Sequence, residues 1–488
     1  MPTSRASVRT ARATRYLTQL RKHTDRIRHH NGALTEWSDT EGTIELPWGR
    51  CTLRTSRDEL TLHAEAENNE RLRRVQDAIT TRLQTIGRRD ALTIAWTRSA
   101  ASIVEALTAP AGRADPFPLY AEAHELGPVS AIADTWFLVS GYAAVDQVLR
   151  NPDFGPSPRS PEPRNPDLPS MSRSILWADP PDHGRMRSLM SQVFTPRRVA
   201  ALRPAIETAV ESLLDGLDGD PVDFMDRFAF PLPITVIGEM LGVPPSDRDR
   251  FRPLATDLTE ALELPALTSR STAAESAARE LGEYFTALIR DRRAHPRDDL
   301  VSALVTTDGR LTDDQLLANL ILLLVAGFET TTNLLGNGLA LLFDHPEVAS
   351  AIRSGELPAE QFVEEVLRYD SPVQITTRTA RTETLTIAGT PIPKGSQVVL
   401  LIGAANRDPS RYPDPDRFDP SRRDTKPLSF GAGPHICLGN ALARLEAAIA
   451  FPRLLTRYPA ISPSTPPTRR DRLTLRGHTT LPIHLNGV

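Results

Sequence analysis

Ten residues near the C-terminus, with the sequence FGAGPHICLG at 430–439, set the strictest limits on how this chain folds. Two of their glycines, Gly431 and Gly433, permit a tight turn, and the apolar segment at 440–455 that follows has the periodicity of a helix. A turn ahead of a helix places Cys437 beside free backbone N–H groups, which stabilise a thiolate. Lone cysteines are more often inert and buried, and Cys437 taken alone favours that interpretation; the agreement of several positions in this ten-residue segment with one pattern reverses it.

The same loop has features that suit a flat macrocycle. Gly439 would let such a group approach the backbone, and His435 can reach a carboxylate at its edge. The sequence has one other cysteine, Cys51, and two cysteines exclude a disulfide framework, a four-cysteine zinc site and a four-cysteine iron–sulfur cluster. A reducing compartment fits this cysteine usage.

A long apolar segment at 313–343 predicts a buried helix. An acid and three threonines stand in its middle, at 329–332, where they are costly unless they meet water or each other. Gly327 and the hydroxyl of Thr330 could distort the helix and open a groove. The residues alone leave two interpretations open: a water-filled structural kink, or an acid–alcohol pair, Glu329 and Thr330, that relays protons.

Together the two segments resemble a known family. The pattern F-G-x-G-x-H-x-C-x-G at 430–439 is similar to the haem-binding loop of the cytochrome P-450 family, the haem-thiolate monooxygenases, and A-G-x-E-T-T at 326–331 is similar to its oxygen-activating helix. The resemblance spans residues 114–488. It implies the cytochrome P-450 fold, which is mainly α with a minor β portion, and haem b as cofactor, with Cys437 as the ligand of the iron.

The resemblance also implies a set of site residues. Thr330 and Glu329 would be catalytic: the threonine would stabilise the activated oxygen by a hydrogen bond, and the glutamate would connect it to solvent. The implied cofactor-binding residues are Cys437, His435, His183, Arg187, Arg378, Phe430, Gly431, Gly433, Gly439, Gly327 and Ala326. Among them the two histidines and two arginines would bind the haem propionates, which need cationic or hydrogen-bonding partners once buried.

Glu365 and Arg368 stand where the family has a structural E-x-x-R pair. By itself this spacing predicts a solvated ion pair on a helix face, worth a few tenths of a kcal/mol. In the family the pair is locked by a third arginine further along the chain. Arg417 is our candidate for that partner.

Residues 1–97 lie outside this resemblance and predict a small α+β domain. The expected elements are a basic helix at 5–30, strands at 43–48, 50–55, 59–65 and 91–96, and a helix at 68–86. This part resembles an uncharacterised bacterial domain family of unknown role, so the resemblance implies no site. Residues 98–113, rich in alanine, serine, threonine, proline and glycine, predict a linker to the second domain at 114–488.

The second domain is predicted to be mostly helical. The expected helices are at 199–217, 234–241, 273–293, 313–343 and 359–368, and the expected strands are at 137–139, 385–387 and 398–402.

Charge and hydropathy restrict the partners. The net charge is −4, and residues 1–100 hold 18 basic and 12 acidic residues, a surplus of six that is too small to indicate nucleic-acid binding. The apolar run at 320–328 stops at Glu329, and about 20 residues are needed to span a bilayer. We therefore expect a soluble, cytoplasmic protein with no membrane and no nucleic-acid partner.

The implied reaction inserts one oxygen atom of O₂ into a lipophilic small molecule, by hydroxylation or epoxidation, in natural-product tailoring. Electrons would come from a separate ferredoxin and ferredoxin reductase, because two cysteines cannot hold a ferredoxin cluster and no G-x-G-x-x-G opens a βαβ unit. Two alternatives stay open. One is a haem-thiolate peroxygenase driven by peroxide, and the other is a non-catalytic haem-binding sensor whose front domain is an interaction module.

Overall fold

The computed structural model describes residues 3–31, 35–88, 90, 92–156, 171–259, 263, 272–306, 311–383 and 385–486. Its α-helices are α1 (Ala13–Asn31), α2 (Asn69–Ile86), α3 (Ala100–Thr108), α4 (Pro110–Ala114), α5 (Phe117–Glu125), α6 (Tyr142–Arg150), α7 (Asp182–Ser191), α8 (Pro196–Ala201), α9 (Arg203–Asp215), α10 (Pro231–Leu241), α11 (Pro245–Arg248), α12 (Phe251–Thr259), α13 (Thr272–Ala294), α14 (Leu300–Val305), α15 (Asp313–Asp344), α16 (Pro346–Ser354), α17 (Ala359–Tyr369), α18 (Ile402–Ala405) and α19 (Asn440–Arg457). Its strands are β1 (Thr3–Arg9), β2 (Thr35–Trp37), β3 (Glu41–Leu46), β4 (Gly49–Thr55), β5 (Glu59–Ala66), β6 (Trp96–Thr97), β7 (Val129–Ala133), β8 (Trp136–Val139), β9 (Phe154–Pro156), β10 (Val222–Asp223), β11 (Ile375–Ala380), β12 (Leu385–Ile387), β13 (Thr390–Ile392), β14 (Gln397–Leu401), β15 (Ser462–Pro463), β16 (Thr468–Arg469), β17 (His478–Thr480) and β18 (Pro482–His484).

The front of the chain forms a six-stranded antiparallel sheet in the order β2-β3-β4-β5-β1-β6. Alternate residues of β5, among them Leu60 and Leu62, point into a buried cluster. The apolar stripe of α2, which includes Leu72 and Val75, packs into the same cluster at the helical spacing that the sequence predicts. The predicted α+β character of this part is therefore confirmed.

Two predictions for the front are wrong. The expected helix at 5–30 begins only at Ala13, because residues 3–9 form β1, in which Ser4, Ala6 and Val8 are buried and their neighbours face outward. A period of two is typical of a strand. The sequence did not indicate it because this segment has few apolar residues. The expected strand at 91–96 is reduced to Trp96–Thr97.

The expected linker at 98–113 is helical. It carries α3 and α4, and Ile103 and Leu107 of α3 are buried with side chains of α5. The alanine that suggested a flexible segment is also the best helix former. As β6 ends at Thr97 and α3 begins at Ala100, two residues separate the front sheet from the helices of the second part.

The second part is mainly helical, as the sequence predicts. Its largest sheet has the order β7-β8-β14-β11-β9, with β8 and β14 parallel. The expected helix at 199–217 is two helices, α8 and α9, which meet at Leu202 because Pro204 occupies the first turn of α9, where proline is tolerated.

Helix α15 runs through the main core for 32 residues, from a capping box formed by Thr312 and Gln315. Among the described residues it is the one helix long and apolar enough to cross a membrane, and 72% of its most apolar stretch is buried inside the protein. The predicted burial of this helix is confirmed, and it places residues 326–331 next to the cysteine loop.

Candidate active site

The cysteine loop is a tight turn that depends on its glycines. Gly431 and Gly433 have φ angles of 69° and 66°, in the left-handed region that favours glycine. A Cβ at position 433 would also collide with the carbonyl oxygen of Leu149 at the end of α6. The N–H of Cys437 donates to the carbonyl oxygen of Phe430 at 2.9 Å and closes the turn.

The sulfur of Cys437 faces a cavity of about 310 Å³. The cavity is lined by the cysteine loop, including Phe430, Gly431 and Gly439, by the first turns of α19, and by residues of α15 between 322 and 334. Most of the lining side chains are apolar. This size and lining are typical of a small-molecule or cofactor site.

The protonation of Cys437 differs from our expectation. Burial raises the pKa of the thiol, although the backbone N–H groups of Gly439 and Asn440 and the guanidinium of Arg187 act in the opposite direction. The helix start therefore does not ionise the sulfur by itself. A metal ion displaces such a proton, because the thiolate is the form that binds metals.

Four nitrogen-bearing side chains meet at the edge of the cavity, as the resemblance implies. His183 and Arg187 lie one turn apart on α7, Arg378 lies on β11, and His435 lies in the loop. The rings of the two histidines are 4.0 Å apart, centroid to centroid. Arg187 donates to the carbonyl oxygen of Ile436, which ties α7 to the cysteine loop.

These side chains fit a planar group that carries carboxylates. Arg378 is half-buried, and the hydrogen bonds described for it go to the Thr376 hydroxyl and the Thr377 carbonyl oxygen, with no carboxylate among the described residues. Nε2 of His183 is buried without a hydrogen-bond partner. Burial lowers the pKa of Arg378 to about 10 and that of His435 to about 3, so at neutral pH the arginine is charged and the histidine is a neutral donor. Haem b, with its two propionates, fits this arrangement.

Helix α15 contributes a hydroxyl-bearing side chain to the lining of the same cavity. Thr330 lines the cavity and donates to the carbonyl oxygen of Ala326 at 2.8 Å. Contrary to expectation, α15 runs through this segment without interruption, because the threonine hydroxyls bond the helix's own carbonyls and need no opening. Gly327 also lines the cavity, and a Cβ there would press on Ile237 of α10 at 3.2 Å.

Glu329 is placed differently from the expected link to solvent. Its side chain is fully buried and pairs with Arg470 of the C-terminal segment. Burial raises the pKa of Glu329, although Arg470, Arg472 and Arg252 act in the opposite direction. The carboxyl group is thus shielded from solvent.

The pair Glu365 and Arg368 is fully buried and bidentate, with both N–O distances at 2.7 Å. The third arginine is Arg422, whose Nε lies 3.3 Å from Glu365 Oε1. Our candidate Arg417 is wrong as a side-chain partner, because its guanidinium is exposed and pairs with Asp419, and only its carbonyl oxygen accepts from Arg368.

One cavity residue was missed in the sequence. Glu446 of α19 lines the cavity, is 2% exposed, and has a carboxyl oxygen with no hydrogen-bond partner. Burial raises its pKa to about 8, so it is largely protonated at neutral pH. The available signal was an acid within the apolar helix that follows the cysteine loop.

Comparisons with known proteins agree with this geometry. A family model described as Cytochrome P-450 matches residues 250–355 and 358–484, and one described as Uncharacterized protein conserved in bacteria matches residues 5–97, which confirms the resemblance of the front. The chain is 42% identical over 368 residues to cytochrome P-450 107B1 of Saccharopolyspora erythraea, covering 72% of this chain and 89% of that protein. It is 38% identical over 397 residues to 6-deoxyerythronolide B hydroxylase of the same organism, covering 76% and 96%.

Solved structures give the same result. The ligand-free crystal structure of Mycobacterium smegmatis CYP164A2 matches with a TM-score of 0.72 and 38% identity, covering 79% of this chain and 100% of that one. A structure of P-450BioI with an acyl carrier protein that carries hexadec-9Z-enoic acid matches with a TM-score of 0.73 and 34% identity, covering 77% and 99%. The likeness extends over nearly the whole length of each of those proteins.

Proposed function

The chain belongs to the cytochrome P-450 family, as a monooxygenase with haem b, and from this premise we propose that it hydroxylates or epoxidises a lipophilic natural-product scaffold with O₂. The observation that carries the proposal is that Cys437 and Thr330 line one largely apolar cavity. The acid, Glu329, lies next in sequence to Thr330.

The bound haem would supply the activation of dioxygen at its iron, with a thiolate ligand that favours O–O cleavage. Cys437 would hold the iron. Arg378 and Arg187 would pair with the propionates, and His183 and His435 would donate hydrogen bonds to them. Gly439, which lines the cavity, leaves open space beside its Cα, since a Cβ there would meet nothing within 4 Å.

The protein's own contribution to the chemistry is proton delivery. Thr330 presents a hydroxyl to the cavity, and burial disfavours the charged form of Glu329, its neighbour in sequence. Arg470 fixes one carboxyl oxygen of Glu329. General acids positioned in this way contribute roughly 10²–10⁴-fold to a rate.

The cavity supports a lipophilic substrate. Its lining away from the cysteine loop includes Leu176, Phe194, Ile237 and Leu322, which offer no charge to a ligand. Relatives of this chain include 6-deoxyerythronolide B hydroxylase and a polyketide-biosynthesis cytochrome P-450 of Bacillus subtilis. These support natural-product tailoring as the role.

The electrons would come from a separate ferredoxin and ferredoxin reductase in the cytoplasm. The two cysteines of this chain are too few for a ferredoxin cluster, and Cys51 is buried in the front sheet, with burial raising its pKa to about 12. Docking on the side of Cys437 would give the shortest path to the haem.

The test begins with the reduced carbon monoxide complex of the purified holoprotein. We expect the red-shifted Soret band that is diagnostic of a thiolate ligand, and its loss in Cys437→His. Lipophilic compounds are then screened by the Soret shift, and hits are incubated with a surrogate ferredoxin system and isotopically labelled O₂. A product that carries the label supports the proposal; turnover with peroxide alone would make the protein a peroxygenase, and binding without turnover would make it a sensor.

A further inference from the structure

The segment at 370–374, which links α17 to β11, contributes to the cavity lining although it belongs to neither a helix nor a strand. Pro372 and Val373 of this linking segment line the cavity, next to Thr376 of β11. Because no regular element holds the first two side chains, other contacts fix how far they project into the cavity. The side chain of Gln374 provides such contacts.

The amide of Gln374 closes a turn around these two residues. Its Nε2 donates to the carbonyl oxygen of Ser371 at 2.7 Å, and its Oε1 accepts from the hydroxyl of Tyr120 on α5 at 2.9 Å. A carbonyl oxygen can only accept, so this orientation of the amide is the one that suits Ser371. Pro372 and Val373 stand between the two bonded ends of the turn.

The surroundings of this amide are closely packed. Gln374 and Tyr120 are both fully buried. The backbone of Gln374 is bonded as well, since its N–H donates to the Thr474 carbonyl oxygen at 2.9 Å and its carbonyl oxygen accepts from the Gly403 N–H at 3.1 Å. Gly403 of α18 leaves the space that the amide occupies, because a Cβ there would collide with Oε1 of Gln374.

Backbone contacts hold the turn from another direction. The Pro372 carbonyl oxygen accepts from the Arg476 N–H at 2.8 Å, and Val373 pairs with Leu475 in an antiparallel bridge. These contacts hold the turn against the C-terminal segment, whereas the amide of Gln374 holds it against α5.

We propose that Gln374 is a positioning residue for shape selectivity: its amide, held by Tyr120, fixes how far Pro372 and Val373 project into the cavity and so limits which ligands fit beside the haem. The turn follows from the hydrogen bonds alone, whereas its effect on products rests on the proposed monooxygenase function. A misplacement of about 1 Å can change a rate roughly 10²-fold. A wall released from Gln374 therefore accepts ligands that the wild type excludes.

Azoles that bind haem iron provide a test that needs no substrate. The probes are imidazole, 4-phenylimidazole and its naphthyl analogue, whose dissociation constants follow from the Soret shift of the purified holoprotein. In Gln374→Met, we expect the ratio of dissociation constants between the largest and the smallest probe to fall about tenfold, as for one misfitting methylene in an apolar pocket. The affinity for imidazole and the carbon monoxide band should stay unchanged.

Two further variants reach the same turn by different routes. Tyr120→Phe removes only a hydroxyl, and Gly403→Ala places a methyl group against the amide oxygen without removing a polar atom. Both should lower the ratio as Gln374→Met does. Tyr412→Phe is the matched control, because this buried tyrosine bonds the Lys426 carbonyl oxygen and does not line the cavity. It should leave the ratio unchanged.

The combination of Tyr120→Phe and Gln374→Met distinguishes one unit from two independent defects. If the hydroxyl acts through the amide, the double variant should match Gln374→Met alone in the azole ratio. Fully additive changes would mean that the two residues act separately, and would overturn the proposal.

A substrate found in the Soret screen extends the test to products. In Gln374→Met and Tyr120→Phe, KM and the share of minor products should rise while kcat stays nearly unchanged. A merely structural role would instead lower kcat and the yield of holoprotein together.

The two failures are distinguishable. A wild type that shows the expected azole pattern but forms no labelled product fails the proposed function and not the role of Gln374. If the wild type forms labelled product, and both Gln374→Met and Tyr120→Phe match Tyr412→Phe in the azole ratio, only the role of Gln374 is refuted. If Gln374→Met does not fold with haem, the milder Tyr120→Phe decides.

Discussion

At the scale of single residues, the site is defined by polar atoms that the protein buries without partners. Arg378, His183 and Glu446 line one cavity, and each has unused hydrogen-bonding capacity or charge in the part of the chain that the structure describes. Groups of this kind are costly in the apoprotein and become useful when a complementary ligand arrives. Their substitution should therefore affect the apoprotein and the haem complex differently.

Arg378→Met tests this difference. The variant should bind haem roughly 10- to 100-fold more weakly, because a charge-assisted hydrogen bond contributes about 1.5–3 kcal/mol. The apoprotein should be about as stable as the wild type, since a half-buried cation without a carboxylate partner among the described residues is removed. Haem titration and thermal unfolding measure the two effects. Arg381→Met is the control, because Arg381 pairs with Asp179 and does not line the cavity; equal haem affinity in both variants would contradict the assignment.

Glu446→Gln should change how stability depends on pH. Between the ordinary pKa of a glutamate and the folded-state value of about 8, the folded protein holds a proton that the unfolded chain lacks. The free energy of unfolding therefore falls as the pH rises through this window, by at most about 1.4 kcal/mol per pH unit. In Glu446→Gln that contribution to the slope disappears. Denaturant unfolding of the apoprotein between pH 5 and 8 measures the slope, and parallel curves for the two proteins would refute the burial of a protonated acid.

Thr330→Val should reduce product formation roughly 10²-fold, as expected for a lost proton-transfer group. The reduced carbon monoxide spectrum should stay unchanged, because Thr330 does not touch the cysteine loop. The share of dioxygen released as hydrogen peroxide measures the defect. Thr332→Val is a suitable control, since that hydroxyl lies on the same helix, donates to the Ala229 carbonyl oxygen and does not line the cavity. An unchanged product yield in Thr330→Val would favour a role other than monooxygenation.

The sequence predicts which residues reach the cavity better than it predicts how they are charged. Cys437, His435 and Arg378 belong to segments that can be identified in the sequence by the spacing of their residues, and all three line the same cavity in the structure. Whether a carboxyl group finds a partner depends on elements far apart in sequence. Glu329 and Arg470 are 141 positions apart. Neither their ion pair nor the lack of a hydrogen-bond partner at Oε2 of Glu329 could therefore be inferred from residue patterns.

At the scale of elements, the helix that carries the E-x-x-R pair shows that residue spacing within a helix does not predict which residues distant segments will bury. The spacing of Glu365 and Arg368 on α17 is that of an exposed pair, yet both are fully buried beneath the segment at 413–422. That segment has no regular periodicity, so its path, and the choice of Arg422 over Arg417, is set by tertiary packing. Regular elements such as α2, α15 and α17 were predictable because a repeated apolar spacing marks each one.

Arg422→Ala and Arg417→Ala form a matched pair of tests. Arg422 is mostly buried and donates to Glu365 and to the carbonyl oxygens of Pro413 and Asp414, so its loss should cost about 3 kcal/mol, as for a broken buried pair. Arg417→Ala should leave the unfolding temperature unchanged, because that guanidinium is solvent-exposed. Thermal unfolding of the holoprotein compares them, and the reverse ranking would restore our sequence-based candidate.

At the scale of the whole molecule, the boundary between the two parts is the main prediction still to be tested. Deleting residues 1–97 keeps α3 and should leave a holoprotein with the wild-type carbon monoxide spectrum. Deleting residues 1–109 also removes Ile103 and Leu107, which are buried against α5, and should cost about 2–5 kcal/mol for each large side chain lost from the core. Holoprotein yield and unfolding temperature check both truncations; similar losses in the two would mean that the front sheet itself supports the second part.

The short passage from β6 to α3 has a mechanical consequence. From Thr97 to Ala100 the chain takes three Cα–Cα steps, roughly 11 Å at full stretch. A partner that binds the front sheet and pulls or rotates it would extend this segment very little. The force would then act on Ile103, which is buried in the core of the second part. A force applied to the front sheet is therefore transmitted to the second part through this short segment.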